Sequence, residues 1–386
     1  MKNIDNPKLV SIIRDIYNSN DGTMLSLHEP RFLSDEKELL NKCIDSTFVS
    51  TVGEHVTLFE DKIKEYTGAK YAIATSNGTS ALHIAMLVAG VKPLDEVITQ
   101  SFTFVATCNA IKYCNAEPVF VDISKDTLGM CPKSLKNWIS NNTIKKDKKL
   151  INKNTGAKIS AVLPMHSFGH PSDLDELIII CNENNILLIE DAAESLGSFY
   201  KDQHTGTYGD IGTLSFNGNK VITTGGGGAV ITNDNKYAKK IRHLATTARI
   251  NTDYSFEHDE IGYNYRMPNL NACLGVSQIK MLSNFIDEKR KIASNYEEAF
   301  KDSNISFFKE PVSSKSNYWL NTVLFEDKDL RDQALKYTNE NLVMTRPPWK
   351  LMHKLSMYSE CQKANLKTSE DLENRILNIP SSVPLS

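Results

Sequence analysis

From about residue 57 to residue 235 the chain alternates short apolar runs with stretches of helical periodicity, and this alternation limits the fold more than any other feature. Tyr71–Thr75, Glu96–Thr99, Pro118–Asp122, Ile159–Pro164, Ile186–Asp191 and Ala229–Thr232 read as strands. Between them, helical patterns run from Ser80 to Ala89, Ala106 to Tyr113 and Leu174 to Asn184. Runs this short and this uniformly apolar fit strands covered on both faces, and an intervening helix returns each strand parallel to the last. The expected fold is therefore α/β, with a large, mostly parallel sheet that binds ligands beyond the carboxyl ends of its strands.

A chain of 386 residues is long enough for two domains. After about residue 236 the alternation gives way to a long helical stretch, Leu270 to Phe300, and then to short mixed elements. We expect an N-terminal arm over residues 1–27 with a helix around Leu9 to Tyr17. A large α/β domain is expected over 28–254 and a smaller C-terminal α+β domain over 255–386. The run Lys145–Lys149 reads as a solvated loop. A formal net charge of −3 creates no basic field for nucleic acid. No run approaches the length of a membrane span, and the polar start Met1-Lys2-Asn3-Ile4-Asp5 lacks a leader's apolar core. Seven scattered cysteines, without a C-x-x-C pair, fit reduced thiols. The cytoplasm is the expected compartment.

The residues that carry chemistry fall at strand ends. Asp191 closes the buried run Ile186–Asp191, and Lys220 follows the segment Thr213–Asn219. Next come Gly225 to Gly228 and the strand Ala229–Thr232. Ser76-Asn77-Gly78-Thr79-Ser80 joins a strand to a helix, where free N–H groups and the helix dipole favour an anion. Phe104 stands close by in sequence. Pyridoxal phosphate needs such a set: an acid for its ring nitrogen, a lysine for its aldehyde, and hydroxyls and amides for its phosphate. Singly, each residue has a plainer reading. An Asp at a strand end is often an ion-pair partner, a lone lysine a surface charge, an aromatic part of the core. His166 and His170 are four apart, but Gly169 and Pro171 spoil a helix between them, and no metal is expected.

Five ordered motifs resemble the DegT/DnrJ/EryC1/StrS sugar aminotransferases, a fold-type-I pyridoxal-phosphate family. They are Ser76–Leu82, Thr103–Thr107, Glu190–Gly197, Ser215–Lys220 and Gly262–Met267. The resemblance implies Lys220 as the Schiff-base lysine and Asp191 as partner of the ring nitrogen. It implies Glu194 at the ring hydroxyl, Gly78, Thr79 and Ser215 at the phosphate, and Phe104 stacked on the ring. Asn264 matches an asparagine that reaches the neighbouring subunit's phosphate, which implies a homodimer with shared active sites. His166, Arg266 and Arg346 are candidate substrate contacts, Arg346 for a diphosphate.

Phe48–Gly53, Ser215–Lys220, Thr345–Trp349 and Asn378–Ser382 are similar to the legionaminic-acid (LegC-like) branch. That branch implies amination at C4 of a UDP-linked 2-acetamido-2,6-dideoxy-hexos-4-ulose, with glutamate as donor, for surface-glycan synthesis. A GDP-perosamine synthase-type 4-aminotransferase is the alternative, and a non-enzymatic binding protein on the same fold is the third reading. Gly226 and Gln100 depart from the wider family, where Glu and Pro are common. A nicotinamide enzyme would show a G-x-G-x-x-G after an early strand, and none occurs. A dehydratase on this fold typically carries histidine where this chain has Lys220.

Overall fold

The computed structural model describes residues 3–20, 22–251 and 254–384. Its centre is a sheet of seven strands: β1 (Tyr71–Thr75), β2 (Glu96–Gln100), β3 (Glu117–Val121), β4 (Ile159–Leu163), β5 (Leu187–Asp191), β6 (Ile211–Ser215) and β7 (Gly228–Thr232). Their spatial order is β1-β7-β6-β5-β4-β2-β3. All pairings are parallel except those of β7, which runs antiparallel to both β1 and β6. The reversal goes with its connection: residues 216–227 join β6 to β7 without a helix to carry the chain back for a parallel return. That loop carries Lys220 and emerges at the carboxyl end of β6. The carboxyl ends of β1, β2, β4 and β5 lie along the same edge.

Val97, Ile98, Ala161, Val162, Leu163 and Ile189 have no more than traces of exposed surface, as strands packed on both faces require. The helix Gly78–Val88 fills one face with Leu82, Ile84, Ala85 and Met86. Helix Asn269–Phe300, roughly 48 Å long at 1.5 Å per residue, packs against helices Glu36–Asp45 and Glu54–Thr67. Its far end enters a smaller antiparallel sheet of β8 (Ser306–Phe307), β9 (Asn321–Leu324) and β10 (Ile376–Ile379). The first helix, Asn6–Ile16, belongs to this smaller layer: Leu9, Val10 and Ile13 pack with Tyr296, Phe300, Val323 and Leu377. Asp5 caps it, accepting from the Lys8 N–H at 3.0 Å.

The lysine run at 145–149 is a hairpin, not the expected loop. Thr143–Lys146 pairs antiparallel with Lys149–Asn152 around Asp147 and Lys148, whose φ values are 50° and 61°. Two consecutive left-handed residues make the turn whose twist suits a two-residue hairpin. Leu150 and Asn152 turn inward while the lysines face solvent. All seven cysteines are unpaired. Among the described residues no helix is long and apolar enough to cross a membrane.

One buried histidine sets a pH dependence of stability. His170 lies against Phe308 and Tyr318, with ring centroids 4.9 and 5.4 Å away, and neither ring nitrogen has a partner among the described residues. Burial pushes its pKa down to about 3, against a small opposing pull from Glu310. Because the folded value lies below the unfolded one, near ~6.5, stability is fully present above the unfolded value and is lost as pH falls toward 3. At pH 4 this costs about 3 kcal/mol. Urea unfolding at pH 7 and pH 4 should show His170→Leu losing about 3 kcal/mol less than the parent. An identical loss in the two proteins would rule out His170 as a source of acid sensitivity.

Candidate active site

At the carboxyl edge of the sheet, residues from seven segments enclose a cleft of about 320 Å³. Lys220 enters it from the β6–β7 loop. A tight turn, with the Lys220 N–H bonded to the Asn217 carbonyl at 3.0 Å, aims the side chain inward. Its Nζ lies 3.2 Å from Glu194 Oε1 and 4.0 Å from the centroid of the Trp319 ring.

Asp191 ends β5 with its carboxylate fully engaged. Oδ2 accepts from Thr107 Oγ1 at 2.7 Å and Oδ1 from the Ala193 N–H at 3.2 Å. Burial pushes this carboxyl above the usual range, opposed by those two donors and by the Lys220 charge. A buried acid in that balance gains most from a further cationic N–H partner. Glu194 is buried beside it. Burial pushes its pKa up to about 7, with Lys220 and the Phe168 N–H, 2.9 Å from Oε2, pulling the other way. Phe168 can aim that N–H only from a left-handed backbone, φ 58°, which is uncommon for a bulky residue.

The opposite wall is the start of the Gly78–Val88 helix. Asn77 caps it, accepting from the Ser80 N–H at 2.8 Å, so the N–H groups of Gly78 and Thr79 open the helix toward the cleft. A Cβ on Gly78 would sit 2.9 Å from Ser215 Cβ. Glycine therefore brings the helix terminus and the Ser215 hydroxyl close enough to cradle one anion. Phe104, 45 % exposed at the start of helix Val105–Tyr113, closes a side of the cleft near Trp349. Gln100 explains itself at the floor: its amide accepts from the Met165 N–H and donates to the Met165 carbonyl, both at 3.2 Å. A proline could make neither bond.

Gly78, Thr79, Phe104, Asp191, Glu194, Ser215 and Lys220 thus share one cleft. Four other expected site residues do not join them. His166, expected at the substrate, has no exposed surface. Its Nδ1 accepts from the Ser172 N–H at 3.1 Å, which leaves Nε2–H to donate to Glu190 Oε2 at 3.0 Å. Burial alone would raise Glu190, but His166 and the Gly206 and Gly209 N–H groups hold its pKa below the usual value. This pair braces the segment behind Asp191, and substrate cannot reach it. Asn264 and Arg266 run beside β1, where Ser76 N–H meets the Tyr265 carbonyl, and line a separate cleft of about 850 Å³. Arg346 is exposed and bonds Asn339 Oδ1 and the Thr345 carbonyl, each at 3.1 Å. The cleft also includes Met165, Asn219, Trp319 and Trp349, to which no site role was given in advance.

A lysine amine, two buried carboxylates and an anion cradle around a cleft of this size define an aldehyde-cofactor enzyme of the α/β class, and the residues fit pyridoxal phosphate. The sequence profile of the DegT/DnrJ/EryC1/StrS aminotransferase family matches residues 31–386, and the chain belongs to that family. It is a pyridoxal-phosphate-dependent nucleotide-sugar aminotransferase. The chain is 36 % identical over 362 residues to GDP-perosamine synthase of Escherichia coli O157:H7, covering 94 % of each. It is 34 % identical over 360 residues to the putative pyridoxal phosphate-dependent aminotransferase EpsN of Bacillus subtilis, covering 92 % of this chain and 90 % of that one. Among solved structures, the aminotransferase TlmJ of Streptoalloteichus hindustanus superposes with a TM-score of 0.85 at 26 % identity, covering 94 % of this chain and 95 % of the other.

Proposed function

We propose that the protein transfers the amino group of glutamate to C4 of a nucleotide-linked 4-keto-6-deoxy sugar, for the synthesis of surface glycans. The observation that carries this reading is the convergence of Lys220, Asp191 and Glu194 with the Gly78–Ser215 cradle on one cleft. Bound there, pyridoxal phosphate supplies an electron sink for the carbon that loses a proton. Gly78, Thr79 and Ser215 hold its phosphate, Asp191 its ring nitrogen, Glu194 its ring hydroxyl, and Phe104 covers the ring. Lys220 holds the cofactor covalently at rest. Once displaced, its Nζ would take the proton from the α-carbon of glutamate and hand it on within the site; the amino group would stay behind, and one water would hydrolyse the C=N bond to free 2-oxoglutarate. In the second stage the same Nζ delivers a proton to C4 of the sugar from one face.

Two acceptors are in contention. Three of the similar relatives are named GDP-perosamine synthases, at 32 to 36 % identity over at least 92 % of this chain, which favours a GDP-linked sugar. The motifs around Phe48, Thr345 and Asn378 favour the UDP-linked 2-acetamido-2,6-dideoxy-hexos-4-ulose. The test loads the protein with pyridoxal phosphate, adds glutamate until the visible band is lost, and then offers each keto sugar. The sugar that restores the band is the acceptor. Indifference to glutamate would sink the donor assignment, and no recovery with either sugar would sink the acceptor class.

The same reading includes a homodimer with shared sites. Asn264, the residue expected to reach a neighbour's cofactor, lies outside the cleft of its own Lys220 on a separate concave surface, which supports this reading. Mixing an Asn264→Ala chain with a Lys220→Ala chain should restore turnover that neither has alone, through one intact shared site. Mixtures as inactive as their components would argue for self-contained protomers.

A further inference from the structure

Apart from Glu194, the side chain facing the Lys220 amine is Trp319, whose ring centroid is 4.0 Å from Nζ. At that distance the negative face of an indole attracts a cation and provides an apolar floor for a neutral amine. The ring is tied on several sides. Its Nε1–H donates to the Asn219 carbonyl at 2.7 Å, one residue before the lysine. Its backbone N–H donates to Asn317 Oδ1 at 2.8 Å, and Asn317 Nδ2 reaches the Glu194 and Leu196 carbonyls at 2.9 Å each. Its own carbonyl accepts from Lys289 Nζ at 3.1 Å. Lys289 is fully buried, and burial drives its amine well below the ordinary lysine range. It donates to both the Trp319 and the Ser381 carbonyls. One tryptophan thus joins the loop of Lys220 to the segment of Glu194, and a lysine from the long helix holds it in place.

We propose that Trp319 is a positioning residue for Lys220: its ring face steers the free amine toward the cofactor's aldehyde carbon, and its indole N–H fixes the loop from which the lysine reaches. This rests on Lys220 being the cofactor lysine, as proposed above. Such a lysine must leave and rejoin the cofactor in each cycle. On joining, the neutral amine adds to the aldehyde carbon, a C=N bond forms and one water leaves, with no change of oxidation state. Between those events a four-carbon side chain has many rotamers, and only those held over the ring keep Nζ near the carbon it must attack. Losing that orientation lowers the effective concentration of the amine without altering its chemistry.

The experiment follows the visible band that appears when pyridoxal phosphate is added to dialysed full-length protein, over a range of concentrations. The limiting first-order rate reports the covalent step, and the half-saturating concentration reports prior binding. Trp319→Leu should lower the limiting rate roughly tenfold or more. Trp319→Phe, which keeps a ring face and loses the N–H to the Asn219 carbonyl, should fall between the parent and the aliphatic variant. Should Trp319→Leu fail to fold, Trp319→Met carries the same test. A limiting rate unchanged in the aliphatic variant, or a change confined to the half-saturating concentration, overturns the proposal. A band in the parent that is lost in Lys220→Ala keeps the cofactor reading standing whichever way Trp319 falls. No band in the parent overturns both.

Discussion

Lys220→Ala is expected to leave a folded protein that neither forms the visible band with pyridoxal phosphate nor turns over, with activity down by roughly four orders of magnitude or more. Among the described residues, Lys220 is the only one lining the cleft that carries an amine, so no neighbour there can take over its covalent or proton-transfer work. Losing one member of a buried ion pair is ordinarily costly, because it strands the other charge. Here the stranded group is Glu194, whose pKa burial has already pushed up to about 7. It takes up a proton at little cost, so circular dichroism and the melting temperature should stay close to the parent's. Undiminished turnover in this variant would end the proposed mechanism, and collapse of the fold would mean that the lysine is structural.

The second large effect is expected at Asp191. Asp191→Asn keeps the shape and can still accept from the Thr107 hydroxyl, but it removes the negative charge at the end of β5. Without that charge the ring nitrogen is no longer held protonated, and the electron sink weakens at the moment charge develops. Turnover should fall by roughly 10²–10³-fold while the visible band persists, since Lys220 is untouched. Steady-state rates and an absorbance spectrum on one preparation separate the two properties. Turnover within twofold of the parent would remove Asp191 from the mechanism.

Much of this architecture was legible from residues alone. Helix Leu174–Asn184 falls where its apolar periodicity ends at an Asn, which adopts the left-handed conformation that stops it. Six of the seven central strands were found within a residue or two because they are mostly apolar and bounded by polar turns, while β6, broken up by Gly212, Thr213 and Ser215, was not read as a strand. What local pattern could not reveal was direction: β7 reads like any other buried strand, and its helix-free connection folds it back against β6. The lysine hairpin escaped because its turn is Asp147-Lys148 rather than a glycine-bearing pair, so charge outweighed the weak alternation around it. His166 sits in a segment that does reach the site, but its own ring points into the interior, and one-dimensional spacing carries no side-chain direction. Trp319 was hidden for a different reason. It approaches the lysine loop from 100 residues further along the chain, and no local pattern encodes that contact. Its only advance signal was an aromatic pair, Tyr318-Trp319, just ahead of a short strand.

The position of β7 bears on how the chain acquires its cofactor during synthesis. β1 is an edge strand whose only partner in the sheet is β7, from Tyr71 against Thr232 to Thr75 against Gly228. The anion cradle joins Gly78, just after β1, to Ser215, just before the lysine loop. A nascent chain therefore carries the Gly78 and Thr79 amides long before the strand that anchors β1 has left the ribosome. Such distant pairings form slowly and late. Ligand binding stabilises only the state that has the complete site. The site is thus closed by the last strand of the large sheet to be made, and a cofactor that needs both Gly78 and Ser215 can favour only chains in which β7 has taken its place between β1 and β6.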